Sequence, residues 1–244
     1  MIVGAAILPT APLLIPGVSA MLPQGLPRVA DALDAVVDGI PAVDLLVLMT
    51  AGAGAVYCQG SASLRGIGRA DIVVQADVDG AAAGELADAT GLPVDEDAPL
   101  PLDLAVMALH LGDLAPVVAL TVPAGESFET LAGIGQAIAT SMGGPDLRVA
   151  LVAAGDLSTG LTEKSPLHLV SGAIFWDEQA VAAVDSGRLQ GLQRLGPQEA
   201  QRVGAPAWAP LVVLHGAVAS AKVGMVVRHY SAPRGVGYLV ASGG

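Results

Sequence analysis

The chain has 244 residues, 53% of them hydrophobic and 3% aromatic, with 23 acidic side chains against 11 basic ones and a formal charge of −12. Scattered cations and a strong acidic excess exclude a nucleic-acid face or an anionic membrane surface as the natural partner. A single cysteine, Cys58, excludes an intrachain disulfide and a cysteine-rich metal site, and a reducing cytoplasm is the setting expected for it.

The length suits one sizeable α/β domain spanning 1–244 and is short for two. The first twenty residues are apolar, but no basic residue precedes Arg28 and Pro9, Pro12 and Pro16 interrupt any helix. They are therefore expected as strand and loop rather than export signal. No apolar run reaches the roughly 20 residues of a spanning helix; the longest, Val203 to Val227, carries His215 and Lys222.

Ile2 to Leu8 is a continuous apolar run of the kind found in strands covered on both faces. The proline-punctuated stretch Pro9 to Pro16 reads as loop. Leu26 to Val37 places Val29, Leu33 and Val36 at helical spacing, stopped by Gly39–Ile40–Pro41. Leu45 to Met49 reads as the second strand, followed by Thr50-Ala-Gly-Ala-Gly-Ala-Val-Tyr57. That stretch begins like a dinucleotide fingerprint but has Tyr57 where glycine is needed and no helix behind it, so a tight glycine loop over a pocket is expected instead.

Further along, Asp71 to Gln75 reads as a short strand and Gly80 to Thr90 as a surface helix. The acidic, turn-rich Leu92 to Pro101 reads as loop and Leu102 to Leu111 as helix. Val117 to Val122 is a strand, and Ser127 to Met142 a helix capped by Ser127. Val149 to Ala154 is a strand that breaks at Gly155 and delivers Asp156, Ser158 and Thr159 at its carboxyl end, where open α/β sheets hold their ligands. Ile174 to Val184 and Gly187 to Leu195 read as helices, with Pro197 opening another. Ala207 to Ala219 is an apolar helix whose Gly and Ala content implies a tightly covered contact. Met225 to Tyr230 and Val236 to Ala241 finish the sheet. The alternation predicts a mixed, mainly parallel central sheet flanked by helices.

Chemistry concentrates at the strand ends. The crevice candidates are Thr10, Thr50, Asp103, Asp156, Ser158, Thr159 and His168. Asp103 and Asp156 read first as caps or solvated groups, and alternatively as a carboxylate pair for acid–base work or cation binding. Ser158 is one place late for a G-x-S-x-G elbow, and no histidine is assignable as its base. His110, His168, His215 and His229 show no ligand spacing such as i, i+4 on a helix.

Four stretches together resemble the class III extradiol ring-cleavage dioxygenase family, which includes Memo-like proteins. They are Ala5 to Pro16, Ala154-Gly-Asp-Leu-Ser-Thr-Gly-Leu161, the segments from Phe175 through Arg188–Leu189 to Leu214-His-Gly-Ala217, and Tyr230 to Ala241. The resemblance implies that fold and non-haem Fe(II) cleavage of catechol-type aromatics. It also implies that Thr10 stands where active relatives have a histidine ligand, and Thr50 to Gly52 where they have a second. Thr159 takes the place of the catalytic acid–base histidine, and the neighbourhood of Ala207 that of the ligand carboxylate. Hydroxyl and methyl groups do not replace imidazole and carboxylate on ferrous iron. The expectation is a metal-free, non-catalytic member with no cofactor, binding a small molecule or protein partner at the former active-site crevice. The alternative is an active Fe2+ dioxygenase with an atypical ligand set that includes His168 and Asp156. A homodimer is also expected, from the resemblance and from the apolar surface this composition implies.

Overall fold

The computed structural model describes residues 1–244. In chain order its elements are β1 (Ile2–Leu8), α1 (Leu26–Asp38), β2 (Leu45–Gly52), β3 (Ala55–Tyr57), β4 (Ser61–Leu64), β5 (Arg69–Gln75), α2 (Gly80–Thr90), β6 (Val94–Asp95), α3 (Leu102–Leu111), β7 (Val117–Pro123), α4 (Phe128–Met142), β8 (Val149–Ala154), α5 (Ala173–Asp185), α6 (Pro197–Val203), α7 (Trp208–Ala221), β9 (Met225–Ser231) and β10 (Tyr238–Gly243). Eight strands form one sheet in the order β6-β3-β7-β2-β8-β1-β10-β9, and β4 and β5 form a separate hairpin. No helix is long and apolar enough to cross a membrane.

The four continuous apolar runs, β7, β2, β8 and β1, are the parallel centre of the sheet, with Leu48 opposite Ala119 on one side and Val152 on the other. Each is buried on both faces because successive side chains alternate. Leu46 and Leu48 pack with Val29, Leu33 and Val36 of α1 and with Leu104 of α3. Val47 and Met49 pack on the opposite face with Leu131, Ile134 and Ile138 of α4 and Leu211 of α7. Both crossovers skip a strand: β1 reaches β2 over β8, and β7 reaches β8 over β2. All four central strands therefore open their carboxyl ends on one edge of the sheet.

Four local expectations are corrected. Residues 55–57 leave the glycine stretch as an antiparallel edge strand on β7, with Val56 opposite Leu120. Val94–Asp95, inside the expected acidic loop, pairs with that strand. Pro12–Leu14 closes one 3-10 turn within the proline-rich loop, and Leu189–Arg194 is a 3-10 rather than an α-helix. The expected Asp71 to Gln75 strand is present as β5, with β4 as an unforeseen partner.

Candidate active-site crevice

Thr10 follows β1 by two residues and Asp156 follows β8 by two, and because the strands are parallel neighbours these two side chains meet. The Thr10 amide donates to Asp156 Oδ2 at 2.6 Å, and the Thr10 hydroxyl donates to the same oxygen. The Asp156 turn is held by backbone bonds on both sides: Gly155 N–H to Leu8 O at 2.8 Å, Leu239 N–H to Gly155 O at 3.0 Å, and Ala207 N–H to Asp156 O at 3.1 Å. At Gly155 a Cβ would lie 2.3 Å from the Leu239 carbonyl oxygen, so the approach of β10 requires glycine there.

Asp103, in the first turn of α3, points at the same threonine. Burial pushes the Asp156 carboxyl up to about 6; the two Thr10 bonds oppose this and the nearby Asp103 charge adds to it. Burial also raises Asp103, again opposed by Thr10. The pair is thus neither solvated nor used to cap, contrary to the first expectation. Two like charges in a partly buried site disfavour double ionisation, so the pair holds a proton close to neutrality. Tyr238 of β10 completes this wall, its phenol pushed up to about 12 by burial and by the Asp156 charge. Thr10→Val keeps the backbone bond but removes the hydroxyl donor. It is expected to cost about 1 to 2 kcal/mol at neutral pH and to move the Asp156 titration upward, read by carboxyl NMR.

Thr50, at the end of β2, is 1% exposed and its hydroxyl has no hydrogen-bond partner. Its register neighbour Thr121 instead accepts from the Ala55 amide at 3.2 Å. Ser158 is fully buried; its amide donates to Asp177 Oδ1 at 3.0 Å while its hydroxyl stays unpaired. Asp177 of α5 also accepts from the Tyr230 hydroxyl at 2.7 Å, and burial lifts its carboxyl to about 6. Sequence reasoning missed Asp177, although its signal was present. Asp177 falls on the buried face of α5 with Ala173, Ala180 and Val184.

Thr159 is half-buried and tied through its backbone to Val203 O and from Leu167 N–H. His168 does not join the crevice: it is exposed on a left-handed turn with φ of 56°, its Nδ1 3.2 Å from Glu163 O. Sequence proximity to Asp156 is undone by the outward turn of that loop. His110 ends α3 with a buried, unpartnered Nε2, His215 lies against Phe128, and His229 contacts Ser231. No group of three or more His, Cys, Asp or Glu is placed to hold a metal ion. On the α7 side of the sheet edge, Ala124, Gly125, Gly204, Ala205 and Trp208 line a largely apolar cavity of about 370 Å³.

The family model described as the catalytic LigB subunit of aromatic ring-opening dioxygenase matches residues 70–241. The crystal structure of an uncharacterized protein from Escherichia coli K12 is similar over 99% of this chain and 99% of that one, with a TM-score of 0.67 and 17% sequence identity, a likeness of fold. No curated protein matches the chain. With most of its length covered by that model and the crevice at the carboxyl edge of a parallel sheet, this chain belongs to the LigB family of aromatic ring-opening dioxygenases.

Proposed function

We propose that this chain is a metal-free, non-catalytic LigB-family member whose crevice binds a small molecule. The observation that carries the reading is the double hydrogen bond from Thr10 to Asp156. The residue at the end of β1 spends its hydroxyl and its amide as donors to a carboxylate. It has no nitrogen lone pair to offer a ferrous ion, which is held in such sites by two imidazoles and a carboxylate. Thr50 and Thr159 supply only hydroxyls, and Ala207 supplies a methyl. These residues do not fit iron. What they offer is a carboxyl pair sharing a proton and the unpartnered hydroxyl of Thr50, a set that recognises hydroxyl, carbonyl or amide groups by hydrogen bonding.

Two measurements test this. Protein purified without chelators and then incubated with ferrous salt is expected to retain substoichiometric iron and to show no catechol-dependent oxygen uptake. Small molecules released by denaturing the purified protein are expected in mass spectra of wild type and absent from Asp156→Ala. Stoichiometric iron together with catechol-dependent oxygen uptake overturns the reading, and establishes an active dioxygenase with an atypical ligand set.

A further inference from the structure

A cleft of about 880 Å³ lies far from the crevice, lined by Arg188, Gln190, Gln193, Arg194, His215 and Lys222 among others, with no acidic residue in the lining. It sits toward the opposite end of α7 from the Ala207 turn, and a helix of 14 residues is about 20 Å long.

The charge arrangement is unusual for this chain. Acidic side chains outnumber basic ones 23 to 11, yet three of the 11 cations converge on one concavity. The ion pairs in the fold are Arg69–Asp71 and Arg202–Glu199, and neither involves a cation of the cleft. Arg188, Arg194 and Lys222 are all exposed, so each was free to pair elsewhere without loss of burial. The carboxyl end of α7 attracts Lys222, its capping residue, but that effect dies away within the last turn. It does not account for Arg188 and Arg194, which flank a different element, the 3-10 helix Leu189–Arg194. Burial lowers the His215 imidazole and favours its neutral form, so its ring adds a hydrogen-bonding group rather than a fourth charge. Two guanidinium forks and an ammonium around one opening suit a multiply charged oxyanion, because each fork can engage two oxygens at once. The volume lies within the range of small-ligand pockets, and the lining has no Trp, Tyr or Phe on which a nucleobase would stack.

We propose that the cleft between the 3-10 helix and the end of α7 binds a phosphate-class anion carrying two or more negative charges. The site is separate from the crevice and independent of whether the crevice holds iron.

Inorganic pyrophosphate is the probe, titrated into the full-length protein by calorimetry at low ionic strength, with the dicarboxylate succinate as a control. Saturable pyrophosphate binding is expected, tighter than that of succinate, and weakened about tenfold or more in Arg188→Gln/Arg194→Gln. Lys222→Gln is expected to weaken it by a smaller factor, and Arg65→Gln, an exposed cation outside the cleft, to leave it unchanged. Absence of saturable binding to wild type overturns the proposal, as does equal binding by the double variant. Preference for succinate overturns the phosphate assignment.

Discussion

Gly216→Val is expected to lower the stability of the fold by about 3 kcal/mol, at the upper end of overpacking costs, read as a shift of the urea midpoint. Helices α4 and α7 lie against each other on one face of the sheet, and each places a glycine at the contact. A Cβ on Gly216 would sit 2.0 Å from the Ala132 carbonyl oxygen, and one on Gly135 would sit 2.0 Å from the Val213 carbonyl oxygen. The obstructing atoms are backbone, so no rotamer change makes room and the helices must part. α7 cannot move freely, because Leu211, Val212, Val213 and Leu214 are all fully buried. Gly133→Ala is the control on the same α4: its position is exposed and open, and relief of glycine's helical penalty should stabilise by about 0.5 to 1 kcal/mol. Opposite signs for the two substitutions are the expected result; a Gly216→Val protein as stable as wild type would remove close packing as the reason for that glycine.

That contact was legible in the sequence, since an apolar helix rich in Gly and Ala has to be covered closely on all sides. The central strands were legible for the same kind of reason: β1, β2, β7 and β8 are uninterrupted apolar runs, which only a doubly covered sheet accommodates. β3 and β6 were not, because three and two residues carry no periodicity of their own and pair only where the free edge of β7 presents a template. At the crevice, each strand announced its end by breaking at Pro, Thr or Gly, so Thr10, Thr50 and Asp156 could be gathered. Their chemistry could not be read, because the Thr10–Asp156 bond joins residues 146 apart and its meaning depends on Asp103 arriving from a third element. Nor does a sequence position two residues past a strand say whether a threonine will accept from a ligand or donate to a neighbour. His168 failed for the converse reason, being near in sequence but turned to solvent by its own backbone.

The stability gained by Asp177→Asn is expected to grow by about 3 kcal/mol between pH 4 and pH 7, measured as the difference in urea unfolding free energy from wild type. The native Asp177 carboxyl sits at about 6 because burial outweighs the bonds from Tyr230 and Ser158, whereas its ordinary value is 3.8. Below pH 4 both the folded and the unfolded chain keep the proton, and burial of a neutral carboxyl imposes no ionisation penalty. As pH rises from about 4 to about 6 the unfolded chain ionises while the folded chain still holds its proton. Stability therefore falls through that window and stays lower above it. Asp156, raised to about 6 by its own burial, acts with the same sign. His110 acts with the opposite one: lowered to about 4 by burial, it destabilises the fold as pH falls from 6.5 toward 4. These contributions offset one another in the wild-type profile, which is why the difference between the two proteins is the informative quantity. The asparagine keeps an acceptor for the Ser158 amide and offers its own N–H groups to the Tyr230 oxygen, so the geometry survives and only the ionisation is removed. A difference that stays flat from pH 4 to pH 7 would mean that the carboxyl ionises as freely in the folded chain as in the unfolded one, and that its enclosure by Gly237, Tyr230 and Leu157 does not desolvate it.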